Sequence, residues 1–197
     1  MNNMRILCVS ALEQECFDLP ESCAADWLLT GIGKSNATYA LTRYLCEHPG
    51  ACDLVMNVGT AGTQHYQVGD ILFCNRFIDR DLMRLQHFGV AYRIATSYTR
   101  VWPSVIGGVR VKKEHSVSTG DDFVTASDNV VADAIDMEAY ALAVVCGRMG
   151  LPFVSVKYIT DVVGQNSVAH WEDRLADARK GLTVYFKDWS TDGFGKY

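Results

Sequence analysis

The chain has 197 residues, of which 49% are hydrophobic and 21% are charged. These values are typical of globular proteins and allow a sizeable core, so we expect a single domain over residues 1–197. The net charge is -5, from 18 Lys and Arg against 23 Asp and Glu, and no dense basic block occurs. This composition argues against nucleic acid or an anionic membrane as a partner and favours a small molecule.

The seven cysteines are scattered, odd in number and never spaced as Cys-x-x-Cys. This pattern favours free thiols in a reducing compartment over a disulfide framework or a zinc site. The five histidines lack His-x-x-x-His spacing, so we expect neither a catalytic metal nor another cofactor. The amino terminus lacks a signal-peptide pattern, and no window reaches the roughly 18 apolar residues of a membrane span. We therefore expect a cytoplasmic protein.

The first third of the chain alternates predicted strands with helix-prone segments. Residues 5–10 predict a strand, and the polar residues at 11–15 predict the start of a helix. Gly31 and Gly33 predict a turn before a helix whose apolar positions are Ala37, Ala40, Leu41, Tyr44 and Leu45. Residues 53–58 predict a buried strand that ends abruptly in a flexible turn over residues 59–62.

The rest of the chain predicts further strands and two more helices. We expect strands and loops over 66–116, followed by a strand that leaves the sheet through the Gly-Asp turn at 120–121. Residues 136–146 predict a helix with Glu138 in its first turn, and residues 152–159 predict a buried strand that stops at Thr160 and Asp161. An amphipathic helix near the carboxyl terminus is indicated by the spacing of Trp171, Leu175, Ala178, Leu182, Tyr185 and Trp189.

This alternation predicts an α/β protein with a largely parallel sheet. Ligands bind at the carboxyl ends of strands in such sheets, which makes Asp161 the first candidate for a working acid and the 59–62 turn a second site. Glu15 follows the first strand and Glu138 opens a helix. Taken singly, each acid is more often a solvated or capping residue. Together, in one pocket, they could carry out acid-assisted hydrolysis.

Two common site motifs are incomplete. The segment Gly31-Ile-Gly-Lys-Ser35 ends like a phosphate-binding loop, but that motif needs glycine where Leu28 stands. The chain also lacks the Gly-x-Ser-x-Gly motif of serine hydrolases. The alternative for these glycines is a turn that lets a helix pack close to a strand.

Six motifs occur in the order found in one superfamily: Gly31-Ile-Gly-Lys34, Asn57-Val-Gly-Thr-Ala-Gly62, Val68-Gly-Asp70, Thr119-Gly-Asp-Asp-Phe123, Asp136-Met-Glu-Ala139 and Ile159-Thr-Asp-Val162. On these motifs the chain resembles the nucleoside phosphorylase and nucleosidase superfamily, and within it most closely the 5'-methylthioadenosine/S-adenosylhomocysteine nucleosidases. The resemblance implies a central mixed, largely parallel twisted sheet flanked by helices, and a homodimer.

The resemblance also implies cleavage of the N-glycosidic bond of a purine nucleoside through an oxocarbenium-like transition state. In that reaction Asp161 matches the acid that protonates purine N7, and Glu15 matches the carboxylate that positions the attacking water. The matching substrate contacts are Glu138 and Met137 at the ribose, Phe123 and Val124 at the purine, the turn residues Thr60, Ala61 and Gly62, and Trp171 over the 5' substituent. For Phe123 and Trp171 an ordinary core position is the alternative.

Several alternatives stay open. Superfamily phosphorylases carry arginine just before the glycine segment to hold phosphate, whereas this chain has Asn57, which favours water as the nucleophile. Asp136 replaces the glutamate common before Met-Glu, and Thr60 replaces a serine, and these departures from the family pattern bear on the identity of the substrate. We expect an adenine nucleoside with a 5'-thio group. A phosphate-dependent phosphorylase, a futalosine-type nucleosidase and a non-catalytic nucleoside-binding protein are the other possibilities.

Overall fold

The computed structural model describes residues 5–19, 24–96, 105–106, 109–110, 114–122, 124, 130–164 and 167–191. Side chains are described for these residues except 24–25, 105–106, 109–110, 167–173 and 188–191. Within this part of the chain, no helix has both the length and the apolar composition needed to cross a membrane.

The described residues form ten strands: β1 (Arg5–Ser10), β2 (Ala24–Leu29), β3 (Leu54–Thr63), β4 (Ile71–Asp79), β5 (Arg93–Ala95), β6 (Val105–Ile106), β7 (Val109–Arg110), β8 (His115–Thr119), β9 (Ala134–Asp136) and β10 (Phe153–Val162). They also form four α-helices: α1 (Lys34–Glu47), α2 (Arg80–Met83), α3 (Ala139–Met149) and α4 (Ser167–Thr191). Short 3₁₀ turns occur at Glu13–Glu15 and Gln86–Phe88.

Eight strands belong to one mixed sheet, in the order β10-β4-β8-β9-β3-β1-β2 with β5 beside β4. Parallel pairing joins β1 to β2 and β3, β10 to β3, and β8 to β4 and β9. Antiparallel pairing joins β10 to β4 and β3 to β9. The prediction of a mixed, largely parallel α/β sheet is therefore confirmed. Because β3 pairs with both β10 and β9, the strands β3, β10, β4, β8 and β9 also close into a ring, which the sequence did not predict.

Helices cover both faces of the sheet because its central strands are apolar on both sides. On β1, Leu7 and Val9 pack in the cluster that contains α1 and α3, whereas Ile6 and Cys8 pack in the cluster that contains Leu182 and Phe186 of α4. Alternate residues of a strand face opposite sides, so one short strand supplies both cores.

Four predicted boundaries were wrong. The predicted turn at 59–62 lies inside β3, and β10 continues past Asp161 to Val162. The predicted helix at 11–15 is a single 3₁₀ turn. Helix α3 begins at Ala139, which places Asp136 at the end of β9 and Glu138 at the N-cap rather than in the first turn. The turn at Gly31 and Gly33 is confirmed, since both have positive φ.

Candidate active site

A cavity lies where the carboxyl ends of β3 and β10 meet the segments that follow β1, β8 and β9. Five of its described lining residues are acids, and none is Lys or Arg. The described lining consists of Ala11, Leu12, Glu15, Ile32, Thr60, Ala61, Gly62, Asp122, Val124, Ile135, Asp136, Met137, Glu138, Asp161 and Val163.

Asp161 reaches this cavity through an irregularity in β10. The parallel pairing of β10 with β3 shifts by one residue at Thr160, since Ile159 pairs with Ala61 and Asp161 pairs with Gly62. A bulge of this kind re-aims the side chain that follows it. The Thr160 hydroxyl is 2.9 Å from Asp161 Oδ1, so it can donate to the buried carboxylate.

The glycines of β3 make room for two carboxylates. A Cβ on Gly62 would lie 2.9 Å from Asp161 Oδ2, and a Cβ on Gly59 would lie 3.0 Å from Glu15 Oε1. Neither glycine has a positive φ. The segment therefore carries glycine because two acids approach the strand closely. The predicted flexible turn was the wrong explanation for the same residues.

Glu15 is buried, with only 4% of its surface exposed, and its carboxylate accepts three hydrogen bonds. Its Oε1 accepts from the Thr60 amide and the Thr60 hydroxyl, both at 2.8 Å. Its Oε2 accepts from the Leu12 amide at 3.3 Å. The 3₁₀ turn and β3 thus fix this carboxylate at the cavity wall.

Glu138 is buried and accepts from the amide of Gly33 at 2.9 Å. Burial, and next the charge of Asp136, raise the pKa of Glu138 to about 7, while Lys157 and the Gly33 amide act in the opposite direction. This carboxyl is therefore near half-ionisation at neutral pH, whereas an exposed glutamate is fully ionised.

A buried ion pair lies behind Glu138. Lys157 Nζ is 2.8 Å from Asp136 Oδ2, and the two side chains are 2% and 1% exposed. Asp136 also accepts from the Thr119 hydroxyl and the Ala139 amide. Burial alone would lower the pKa of Lys157, but the charges of Asp136 and Glu138 raise it above its ordinary value. Lys157 thus places a positive charge among the acids of the site.

Carboxylates occupy the amino end of α1, where the incomplete phosphate-loop motif lies. The Gly33 amide binds Glu138, and the Lys34 amide donates to Asp121 Oδ1 at 2.7 Å. The Lys34 ammonium binds Asp79 and Asp81. This helix terminus therefore binds anionic groups, as such termini do, but the anions are the protein's own side chains.

Asn57 takes part in the sheet rather than in the cavity. Its Nδ2 donates to Val9 O at 3.0 Å, and its Oδ1 accepts from the Ser155 hydroxyl at 2.8 Å. These bonds tie β3 to β1 and β10. Asn57, at the position where the resemblance predicts arginine in a phosphorylase, is thus buried and is not among the described lining residues of the cavity.

Eight of the ten predicted site residues line the cavity: Glu15, Thr60, Ala61, Gly62, Val124, Met137, Glu138 and Asp161. Phe123 and the side chain of Trp171 lie outside the described residues, so their predicted roles stay predictions. Sequence reasoning missed Ala11, Leu12, Ile32, Asp122, Ile135, Asp136 and Val163 as lining residues. For Ile32 the sequence held a signal, since it is an apolar residue between the two turn glycines Gly31 and Gly33, and the structure shows it exposed.

Among the described residues, no group of three or more His, Cys, Asp or Glu side chains is arranged to hold a metal ion.

Residues 27–184 match the sequence profile of the phosphorylase superfamily. The chain is 30% identical over 173 residues to the 5'-methylthioadenosine/S-adenosylhomocysteine nucleosidase of Bacillus subtilis, covering 77% of this chain and 74% of that protein. The nucleosidase of Oceanobacillus iheyensis is 27% identical over 173 residues, covering 78% and 75%.

Solved structures share the fold. A 5'-methylthioadenosine/S-adenosylhomocysteine nucleosidase from Colwellia psychrerythraea, in complex with adenine, superimposes with a TM-score of 0.78 at 20% identity, over 100% of this chain and 98% of that one. A futalosine hydrolase mutant of Helicobacter pylori superimposes with a TM-score of 0.78 at 18% identity, over 96% and 100%.

Proposed function

Since the chain belongs to the phosphorylase superfamily, we propose that it is a purine nucleosidase that hydrolyses the N-glycosidic bond of an adenine nucleoside. The substrates we propose are 5'-methylthioadenosine and S-adenosylhomocysteine, after the relatives that carry those names. The observation that carries this proposal is the presence of Glu15, Glu138 and Asp161 in the lining of one cavity.

Each acid has a separate task in this mechanism. Asp161 donates a proton to N7, because an adenine anion is a poor leaving group and a neutral base leaves readily. Glu15 orients the attacking water and accepts the proton that the water loses as it bonds to the anomeric carbon, a task that suits a carboxylate fixed by three donors. Glu138 accepts hydrogen bonds from the ribose hydroxyls, with Met137 beside it. Charge on these carboxylates also stabilises the cationic sugar in the transition state.

The charge of the cavity supports water, rather than phosphate, as the nucleophile. Its described lining contains five acids and no basic residue. A phosphate placed beside Glu15 would meet a negative charge in a poorly solvated site, at a cost of several kcal/mol. The side chain of Asn57 is bound to Val9 and Ser155, so it is already engaged within the sheet.

A futalosine-type nucleosidase is the second candidate, and the fold shared with the Helicobacter pylori futalosine hydrolase is the observation that favours it. The sequence relatives favour the methylthio substrate.

We make three further proposals: that the protein works as a homodimer, that it resides in the cytoplasm, and that Phe123 and Trp171 contact the purine and the 5' substituent.

A substrate panel tests the proposed function. The purified protein is incubated with 5'-methylthioadenosine, S-adenosylhomocysteine, futalosine and inosine, each with and without phosphate, and the released base and sugar are identified. We expect free adenine from the first two at rates that do not depend on phosphate. Asp161→Asn should reduce adenine release by about 100-fold or more, whereas the control Asp26→Asn, which changes an exposed residue of β2, should not. Strict dependence on phosphate would replace the proposal with a phosphorylase.

A further inference from the structure

We propose that Arg80 is a positioning residue that holds two walls of the cavity at a fixed separation. One wall is the end of β9 at Asp136, which precedes Glu138, and the other is the turn at 120–122, which precedes Val124. The inference rests on the proposed function, in which these two residues contact the ribose and the purine. Arg80 is outside the described lining of the cavity, so it acts through the residues that it binds.

The guanidinium of Arg80 is buried and binds four backbone carbonyl groups. Nη1 donates to Ser118 O at 3.2 Å and to Asp136 O at 3.0 Å. Nη2 donates to Gly120 O at 3.0 Å and to Asp122 O. Nε and Nη2 also donate to Asp122 Oδ1, at 3.1 and 2.9 Å. One side chain thus joins the ends of β8 and β9 to the turn at 120–122.

Two of the four carbonyls that Arg80 binds, those of Asp122 and Asp136, belong to residues that line the cavity. Met137 and Glu138 follow Asp136 directly, and Val124 is two residues beyond Asp122. A shift of either bound carbonyl would therefore move a substrate contact, and a displacement of about 1 Å can cost about 100-fold in rate.

The fold provides a specific place for this side chain. A Cβ on Gly120 would lie 2.5 Å from Arg80 Nε and 2.6 Å from Cζ, so the guanidinium fills the space that any larger residue would need. The planar fork of arginine has five N–H donors, whereas a lysine ammonium has three and can replace them only in part. Without it, the carbonyls of Ser118 and Asp136 at the end of the sheet would lose buried partners.

The backbone that carries Arg80 is itself anchored. Asp79 caps the four-residue helix α2 by accepting from the amides of Asp81 and Leu82. Lys34, at the start of α1, binds Asp79 as well. Since the preceding residue Gly33 holds Glu138, the same group of contacts connects Arg80 to the ribose site from a second direction.

Four variants test the inference: Arg80→Met, Arg80→Lys, Gly120→Ala and the control Arg43→Met, which removes an exposed arginine paired with Glu47 on α1. Rates with 5'-methylthioadenosine, calorimetric affinity for adenine and the folded fraction at the assay temperature are measured for each. We expect Arg80→Met to lower kcat/KM by about 100-fold and to weaken adenine binding about tenfold. Arg80→Lys should recover part of the loss, and Gly120→Ala should reproduce it with the charge retained.

The pH profile separates positioning from chemistry. The contact of Asp161 with the Thr160 hydroxyl does not involve Arg80, so the pH dependence of kcat should keep its shape. The inference is overturned if Arg80→Met, corrected for its folded fraction, stays within about twofold of the parent protein in kcat/KM and adenine affinity. If Arg80→Met does not fold, Gly120→Ala decides by the same criterion. A parent protein that releases no base would refute the proposed function instead, and adenine affinity would then decide the role of Arg80.

Discussion

The carboxylate of Asp161 occupies the space into which a side chain at residue 62 would extend. A Cβ on Gly62 would lie 2.9 Å from Asp161 Oδ2, a separation at which one of the two groups must move. The proposed proton donor can therefore hold its position only because residue 62, on the neighbouring strand, has no side chain.

Gly62→Ala should therefore displace Asp161 and lower kcat by about 100-fold. The control is Gly147→Ala on α3, where the new Cβ would lie 3.4 Å from Ile94 Cδ1. That control should keep full activity, since alanine in a helix is favoured over glycine by about 1 kcal/mol. Steady-state kinetics with 5'-methylthioadenosine measure both. Equal activity of the two variants would show that Asp161 does not need its observed position.

Thr60 should act through its hydroxyl group. The Thr60 hydroxyl and amide each lie 2.8 Å from Glu15 Oε1. A hydrogen bond to a charged group contributes about 1.5–3 kcal/mol, so Thr60→Val should lower kcat/KM about tenfold or more. Thr60→Ser retains the hydroxyl and should stay close to the parent rate. If serine and valine are equally impaired, the methyl group rather than the hydrogen bond is what Thr60 supplies.

The site residues that could be predicted are those whose flanking sequence indicates where a strand ends. Asp161 was chosen as a candidate because a long apolar run ends near it, and it lines the cavity, although β10 continues to Val162. The bulge at Thr160 could not be predicted, because it depends on the register between β10 and β3, about 100 residues apart in sequence.

The misread glycines have a related cause. Gly59 and Gly62 carry the same signal whether they form a turn or leave space for an approaching side chain, and only the tertiary structure distinguishes the two cases. Arg80 gave no signal at all, since its partners Ser118 and Asp136 are distant in sequence and contribute only backbone oxygen.

Glu138 should make stability depend on pH. Its pKa is raised from 4.5 to about 7 by burial and by Asp136, so the folded protein retains a proton that the unfolded chain releases. The free energy of unfolding therefore falls as pH rises through this window, by about 3 kcal/mol from this group. Below pH 4.5 the contribution is fully present, and above pH 7 it is lost.

Urea unfolding of the parent protein and of Glu138→Gln between about pH 4 and pH 8 measures this contribution. Their difference isolates the group from other titrations. Relative to the parent protein, Glu138→Gln should gain stability as pH rises. A constant difference across the range would mean that Glu138 has an ordinary pKa.

Lys157 should stabilise the fold chiefly by compensating Asp136. Lys157→Met leaves a buried carboxylate without its ion-pair partner, a change that costs about 3–5 kcal/mol. Lys157→Met combined with Asp136→Asn removes both charges, and the asparagine can still accept from the Ala139 amide. The double variant should therefore be more stable than Lys157→Met alone, as measured by urea midpoints. Additive losses would contradict direct coupling of the pair.

The most direct test of the nucleosidase mechanism follows the oxygen that arrives at the sugar. The protein is incubated with 5'-methylthioadenosine in oxygen-18-labelled water that also contains phosphate, and the sugar product is examined by mass spectrometry. Attack by water oriented by Glu15 predicts one labelled oxygen on the anomeric carbon for each adenine released, in product analysed before the hemiacetal exchanges with solvent, and no sugar phosphate. A product that carries phosphate and no label would contradict the account.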